Sequence, residues 1–255
     1  MVNRLREKLL RHERPLGTFV QMGGTAIVEC LGIAGLDYIV LDTEHGPLGV
    51  ESLLPQLIAA ERHQLTPLVR VQDGSRASVM RVLDSGAQGL VIPFVKTVQE
   101  VEQVVRYGKY APLGERGFGP TRQSSFSYAE GLRDLDAYCA TRNRETLLLP
   151  QCETRECLEI IDDIVGVAGV DGIFVGPFDL SIALGQPAQF DHPAFQAALT
   201  RILTACQQAQ KFCFIYADRA RASQRFAQGF DSVAISADTI ECIAAYKSLV
   251  QEVRC

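Results

Sequence analysis

The chain of 255 residues has the length of one large domain, and we predict a single domain over residues 1–255. Its formal net charge of −5 argues against non-specific nucleic-acid binding, which needs a basic face. No apolar stretch approaches the roughly 20 residues of a membrane span, and residues 1–14 lack the apolar segment of a signal peptide. Eight scattered cysteines without a Cys-x-x-Cys pair predict reduced thiols in a cytoplasmic protein and argue against a four-ligand zinc site.

Short apolar runs and amphipathic segments alternate along the chain, after a leucine-bearing helix at residues 3–12 that we expect on the floor of the fold. Each apolar run ends at glycine, proline or a polar residue, which is typical of buried strands. The predicted strands are 18–22, 38–43, 66–71, 89–95, 146–153, 169–177, 212–216 and 232–235. The predicted helices are 26–34, 50–63, 76–84, 97–106, 128–143, 154–165, 178–183, 194–209 and 238–253. We expect Thr25, Thr97 and Asp238 to cap helices.

The alternation of strands and helices predicts a parallel sheet, because strands this apolar need helices packed against them. Eight such units favour a closed (β/α)8 barrel, a TIM barrel, over an open doubly wound sheet. Pro93 cannot donate to a strand ladder, so we place it at the end of the fourth strand. Residues 111–127 form an unusually long connection, which suggests a lid or an interface arm.

Polar residues follow several predicted strands at the point where each strand ends. In a (β/α)8 barrel the carboxyl ends of all strands meet at one rim, which is where the active sites of such barrels lie. We therefore expect these side chains to converge on one mouth. They are Gln21, Asp42, Glu44, His45, Arg70, Gln151, Glu153 and Asp179.

Glu153 and Asp179 follow neighbouring strands, and two carboxylates with open coordination positions suit a hard divalent cation, Mg²⁺ or Mn²⁺. Each alone has an ordinary explanation, since Glu153 could cap a helix and Asp179 could be a first-turn acid favoured by the helix dipole. The segment Gly176–Leu180 opens a helix directly after a strand. Its free N–H groups could hold a small carboxylate beside the cation.

Other strand-end residues could stabilise negative charge or transfer a proton. Arg70 could neutralise a developing enolate or a carboxylate, or else form a structural ion pair inside the barrel. His45 could move a proton, because histidine changes charge near neutral pH. A carboxylate, either Asp42 or Asp84, could orient it. No lysine ends a strand in an obvious way, which argues against Schiff-base chemistry.

Several motifs resemble those of the HpcH/HpaI aldolase family, the class II pyruvate aldolases, which include 4-hydroxy-2-oxoheptanedioate and 2-dehydro-3-deoxyglucarate aldolases. The resemblance runs from about Gly17 to Ala245, and the last two motifs are the most specific. The motifs are Gly35–Tyr38, Asp42–Pro47, Val69–Val71, Gly86–Gly89, Gly114–Gly117, Gln151–Glu156 and Gly169–Ser181.

The resemblance implies a (β/α)8 barrel whose final helix is exchanged between subunits of a homo-oligomer, often a hexamer built as a trimer of dimers. It implies a divalent cation on Glu153 and Asp179. We predict Mg²⁺ or Mn²⁺ there, with Co²⁺ and Zn²⁺ as alternatives. It also implies that the backbone N–H groups of Phe178 and Asp179 hold the carboxylate of pyruvate. Gln151 would contact the substrate or a water on the cation.

By the same resemblance, Arg70 stabilises an enolate, and His45 paired with Asp84 handles the proton of the aldol hydroxyl. The predicted function is metal-dependent, reversible cleavage of a 4-hydroxy-2-oxo acid to pyruvate and an aldehyde. An enzyme acting on oxaloacetate, either citrate-synthase-like or decarboxylating, and a catalytically silent barrel that binds a 2-oxo acid are the alternatives. Tyr216 stands where smaller residues commonly shape the aldehyde pocket, so the aldehyde is not predicted. Arg70→Ala is expected to nearly abolish cleavage and to leave the fold intact.

Overall fold

The computed structural model describes residues 2–254 and closes eight parallel strands into a barrel, which confirms the predicted (β/α)8 fold. Each strand pairs with the next along the chain, and the last pairs with the first. The strands are β1 Leu16–Val20, β2 Tyr38–Asp42, β3 Thr66–Arg70, β4 Gly89–Ile92, β5 Leu147–Cys152, β6 Gly172–Val175, β7 Phe212–Ala217 and β8 Ser232–Ala237. Pro93 directly follows the end of β4, as predicted.

Helices connect the strands and surround the barrel, so every strand is covered on its outer side. They are α1 Arg4–Leu10, α2 Thr25–Ile33, α3 Val50–Arg62, α4 Arg76–Asp84, α5 Val98–Gly108, α6 Leu135–Glu145, α7 Arg155–Glu159, α8 Ile161–Gly166, α9 Pro177–Ala183, α10 Pro193–Gln208, α11 Ala222–Gln228 and α12 Asp238–Arg254. A large apolar cluster fills the space between the strands and these helices.

The barrel interior is a second apolar core, and helix α1 closes it from below. Leu5 and Leu9 of α1 are fully buried in the same cluster as Tyr38 and Phe174, which point inward from the strands. The N–H of Leu5 donates to Thr66 Oγ1 at the first residue of β3, at 3.1 Å. The N-terminal helix therefore lies on the barrel floor, as its leucine spacing predicted.

One predicted helix begins later than expected. The segment 128–143 was expected to be helical, but α6 begins only at Leu135. A 3₁₀ segment at Arg122–Ser127 comes first, and Gly131 then adopts a φ of +117°, a left-handed conformation that a helix cannot contain. The side chain of Asp134 caps α6, because it accepts the backbone N–H of Ala137. The prediction is wrong because the apolar pattern does not show these local interruptions.

Two further details of the helices differ from the predictions. The helix expected at 154–165 is divided into α7 and α8 at Ile160, which has non-helical φ and ψ angles of −109° and 24°. Thr25 does not cap α2, whose N-cap is Gly24. Thr97 does cap α5, because its hydroxyl accepts an N–H bond in the first turn.

The connection at 111–127 lies against the floor of the barrel. Arg116 forms an ion pair with Asp84 at the end of α4, and Arg122 forms one with Glu61 at the end of α3. Helices α3 and α4 run from the strand ends back towards the floor, so both contacts are far from the rim. A lid over the site of the same chain is therefore wrong, and an interface arm stays a prediction.

Helix α12 leaves the barrel with an uncovered apolar face. Its buried residue is Asp238, at its first position, whereas six large apolar side chains along it are exposed. These are Ile240, Ile243, Tyr246, Leu249, Val250 and Val253. No helix within residues 2–254 is long and apolar enough to cross a membrane.

Candidate active site

A cavity of about 310 Å³ opens at the carboxyl ends of the strands. Five of the polar strand-end residues line it, namely Gln21, His45, Arg70, Gln151 and Asp179. The rest of the wall is largely apolar and aromatic. It comprises Phe19, Phe174, Gly176, Pro177, Phe178, Tyr216, Ala237 and Ile240.

Asp42 and Arg70 form a buried, bidentate ion pair at the ends of β2 and β3. Arg70 Nε donates to Asp42 Oδ1 at 2.9 Å, and Nη2 donates to Oδ2 at 2.7 Å. Asp42 has no exposed surface and also accepts the backbone N–H groups of Glu44 and His45. Burial alone would raise the pKa of Asp42, but the bonds and positive charge of Arg70 outweigh it and hold the pKa below its usual value.

We expect Asp42→Asn to lower the free energy of unfolding by about 3 kcal/mol near neutral pH, because it breaks a buried pair. The folded-state pKa of Asp42 is lowered, so its stabilising contribution is present above the unfolded value of about 3.9 and is lost as pH falls through the folded value. Urea unfolding should therefore show the full deficit at about pH 7 and a deficit that shrinks progressively as pH falls below about 4. The exposed Asp163→Asn is the control, and a deficit independent of pH would contradict this account.

The guanidinium of Arg70 is also fixed on the side that faces the cavity. Its Nη1 lies 3.1 Å from Glu44 Oε2, and its Cζ lies 4.9 Å from the centre of the Phe19 ring. Two carboxylates and an aromatic face therefore hold one positive charge in the cavity wall. That arrangement suits recognition of a negative charge that forms inside the cavity.

Glu153 lies directly after β5 and is almost completely buried. Its Oε1 accepts the backbone N–H of Phe94 at 2.7 Å, and its Oε2 accepts the side-chain amide of Gln151. Burial, aided by the negative charges of Asp179 and Glu44, raises the pKa of Glu153 to about 7 despite the Phe94 bond. A dication beside this carboxylate would offset both the burial and the repulsion.

Asp179 lies in the first turn of α9, which begins directly after β6, and its side chain is exposed at the cavity. The first-turn N–H groups have no partner within the helix. Gly176 separates strand from helix, and a Cβ there would lie 2.3 Å from Glu153 Oε2 and 2.5 Å from Gln151 Nε2. The absence of a side chain at Gly176 lets these groups approach the start of α9.

The donor groups fit a hard cation with few protein ligands. Within residues 2–254 no group of three or more His, Cys, Asp or Glu side chains could hold a metal ion. Glu153 and Asp179 offer two carboxylates, and Mg²⁺ or Mn²⁺ completes such a set with water and substrate oxygens. Gln151 Oε1 is buried beside them without a hydrogen-bond partner, an acceptor that needs a positive or donating group.

Comparison with known proteins decides the family. A family model described as HpcH/HpaI aldolase/citrate lyase matches residues 16–245. The chain belongs to the HpcH/HpaI aldolase/citrate lyase family. It is 35% identical over 239 residues to 2-keto-3-deoxy-L-rhamnonate aldolase of Salmonella typhi, an alignment that covers 93% of this chain and 88% of the relative.

Solved structures with the same architecture match nearly the whole chain. A family protein from Burkholderia cenocepacia J2315 is 31% identical, with a TM-score of 0.91 and coverage of 100% of both chains. Citrate synthase SbnG is 26% identical, with a TM-score of 0.88 and coverage of 98% of this chain and 97% of its own. Together with the curated relatives, these findings confirm the predicted family and its carbon–carbon lyase (aldolase) class.

Within one chain the structure does not bring Asp84 to His45, and the pairing of these two residues stays a prediction. His45 lies at the rim with its side chain 62% exposed, and its Nε2 is 3.9 Å from Glu44 Oε2. Asp84 ends α4 on the barrel floor, where its Oδ1 accepts Arg116 Nη2 at 2.6 Å. Asp42 contacts the backbone N–H of His45 and not the imidazole ring.

Three site groups were not singled out from the sequence. The backbone N–H of Phe94 reaches Glu153 because Phe94 has a φ of +54°, and the only local signal was Pro93, which ends β4. The ring of Phe19 lies beside Arg70, on a strand whose inward face no pattern identified. Ile240 enters the cavity wall from α12, and nothing in its own segment indicated this.

Gly176→Ala should weaken binding of Mn²⁺ by at least about tenfold, because its Cβ would displace Glu153 and Gln151 by a distance that matters at a preorganised site. Gly166→Ala is the matched control, since a Cβ there meets no atom within 4 Å. Calorimetric titration of both variants with Mn²⁺ measures the effect. Equal affinities would show that the close approach at Gly176 is unimportant.

Proposed function

We propose that the chain catalyses the reversible cleavage of a 4-hydroxy-2-oxo acid to pyruvate and an aldehyde. The observation that carries the proposal is one cavity lined by Arg70, Gln151 and Asp179, with Glu153 bonded directly behind Gln151. A positive charge and two carboxylates at one mouth match a substrate that carries a carboxylate and a 2-oxo group and develops enolate charge during cleavage.

The family is one of divalent-metal-dependent aldolases and lyases. In our proposal Glu153 and Asp179 hold the cation, and Mg²⁺ or Mn²⁺ suits the all-oxygen donor set better than Co²⁺ or Zn²⁺. When bound, the cation supplies Lewis-acid polarisation of the 2-oxo group. The raised pKa of Glu153 supports this role, because burial and the negative charges of Asp179 and Glu44 outweigh the positive charge of Arg70 at that carboxylate.

The remaining steps are assigned to side chains and backbone groups of the cavity. Arg70, held in place by Asp42, stabilises the enolate that forms when the bond between C3 and C4 breaks. The first-turn N–H groups of Phe178 and Asp179 bind the substrate carboxylate, and Gln151 contacts the substrate. His45, exposed at the rim, accepts the proton of the C4 hydroxyl.

We also propose that the protein is a homo-oligomer, for which a trimer of dimers is the expected form. The uncovered apolar face of α12 supports association, since a helix with such a face gains stability by packing against another subunit. Because Asp84 lies on the floor of its own barrel, a pair of Asp84 and His45 can form only between two copies. Light scattering on the purified protein measures the state, and a monomer would refute association.

The predicted cytoplasmic location is part of the same proposal. Every cysteine within residues 2–254 is a free thiol, and four of them are buried. Chains exported to oxidising compartments usually pair such residues.

The proposed reaction is tested by incubating the purified protein with pyruvate and a panel of aldehydes, and by assaying products in both directions. We expect aldol products with added Mn²⁺ or Mg²⁺, loss of activity in EDTA, and recovery when the metal is restored. Parallel assays with oxaloacetate separate the citrate-synthase-like and decarboxylating alternatives. Turnover of oxaloacetate without turnover of any pyruvate adduct would refute the proposal, as would activity unaffected by EDTA.

A further inference from the structure

A chain of hydrogen bonds connects the first turn of α12 to Arg70 through Gln21. Gln21 follows β1 and lines the cavity, and the roles proposed above for the substrate and the cation do not use it. Its side chain and its backbone both have specific partners. These hydrogen bonds indicate that neighbouring groups hold Gln21 in one position.

The backbone at Gln21 is fixed by Asp238, the first residue of α12. The Asp238 carboxylate accepts the N–H groups of Gln21 at 2.9 Å, Met22 at 3.1 Å and Thr239 at 2.8 Å. Asp238 is only 4% exposed, so these bonds are shielded from water. One buried carboxylate therefore joins the end of β1 to the start of α12.

The side-chain amide of Gln21 is oriented by two hydrogen bonds, one that it accepts and one that it donates. Its Oε1 accepts the hydroxyl of Thr239 at 3.3 Å, and its Nε2 donates to Asp42 Oδ2 at 3.0 Å. The same Oδ2 accepts Arg70 Nη2 at 2.7 Å. Oδ1 of Asp42 is held by Arg70 and the rim backbone, so Gln21 is the second group that fixes Oδ2.

We propose that Gln21 is a positioning residue of the aldolase reaction, which acts through Asp42 on the Arg70 guanidinium and is itself held by the first turn of α12. The same turn places Ile240 in the cavity wall. This inference rests on the proposed function, because it assigns Arg70 to the enolate. By this proposal, the first turn of α12 is part of the active site.

The expected kinetic effect follows from where the charge develops. Without the Gln21 bond, Asp42 and the guanidinium can shift together by a fraction of an ångström, and misplacement of about 1 Å can cost 10²-fold in rate. Because Arg70 acts on charge that appears in the transition state, kcat should fall while KM changes little.

Gln21→Met keeps the length of the side chain and removes both hydrogen bonds. We expect its kcat for cleavage to fall about tenfold and its KM to change less than about threefold. Thr239→Val, which removes only the hydroxyl, should lower kcat by a smaller factor, and Thr239→Ser should restore most of the loss. Gln103→Met, on the exposed face of α5, is the matched control.

Thermal unfolding of each variant is measured alongside the kinetics, so a general loss of structure is recognised. A Gln21→Met enzyme with kcat within twofold of wild type overturns the proposal. Should Gln21→Met not fold, equal kcat values for Thr239→Val and Thr239→Ser overturn it instead. A wild-type chain inactive with every aldehyde contradicts the proposed function, and this inference with it, whereas an active wild type with unaffected variants contradicts the inference alone.

Discussion

Arg70→Lys should lower kcat for aldol cleavage by roughly 10²–10³-fold while the protein stays folded. The loss is that of a preorganised charge partner for the enolate. Lysine keeps one positive charge near Asp42, but it cannot form the two parallel bonds that orient the guanidinium. Steady-state kinetics with thermal unfolding measure both quantities, and Arg106→Lys on the exposed face of α5 is the control.

The structure changes the choice of substitution at this position. Arg70→Ala was expected to leave the fold intact, but Asp42 has no exposed surface, and removal of Arg70 would leave a buried carboxylate without its charge partner. Such a change costs about 3–5 kcal/mol. Activity lost in Arg70→Ala would therefore mix chemistry with stability. An Arg70→Lys enzyme that keeps most of its turnover would contradict the proposed role.

Glu153→Gln should abolish measurable cleavage, with a loss of at least about 10³-fold, because a metal ion supplies several kcal/mol of charge stabilisation and each 1.4 kcal/mol is tenfold in rate. The amide keeps an oxygen for the Phe94 N–H and the size of the side chain. The substitution removes the charge and also the second oxygen, which accepts the Gln151 amide. Asp179→Asn should have a similar effect, although its side chain is exposed.

The controls for these two variants are exposed acids elsewhere, Glu159→Gln on α7 and Asp163→Asn on α8. Both should keep wild-type activity and wild-type unfolding temperatures. Excess Mn²⁺ should restore part of the activity of Asp179→Asn, because one carboxylate remains. If either site variant kept a tenth or more of wild-type turnover without excess Mn²⁺, the metal assignment would be contradicted.

The barrel was predictable because its signal is local and repeated. Each strand is a short apolar run, which is typical of a buried strand. The run Tyr38–Leu41, for example, is fully buried. The strand-end rule then placed Gln21, Arg70, Gln151 and Asp179 around one cavity. No residue of that group needed a specific motif to be found, because parallel strands end at the same rim.

Other features depend on contacts that the local sequence does not encode. The late start of α6 follows from the left-handed backbone at Gly131, and no periodic pattern contains that angle. Asp84 was assigned to His45 by resemblance, yet its position at the end of α4 places it with Arg116 on the floor. The link from Gln21 to α12 joins residues more than 200 positions apart, so only the folded chain reveals it.

The most direct test of the account is a titration of the metal-free protein with Mn²⁺. The electron paramagnetic resonance signal of the free ion reports how much Mn²⁺ is bound at each point. We expect one Mn²⁺ per chain in wild type, Glu159→Gln and Asp163→Asn, and affinity at least about a hundredfold weaker in Glu153→Gln and Asp179→Asn. Wild-type affinity in Glu153→Gln and Asp179→Asn would show that these carboxylates do not hold the cation, and the proposed mechanism would then be wrong.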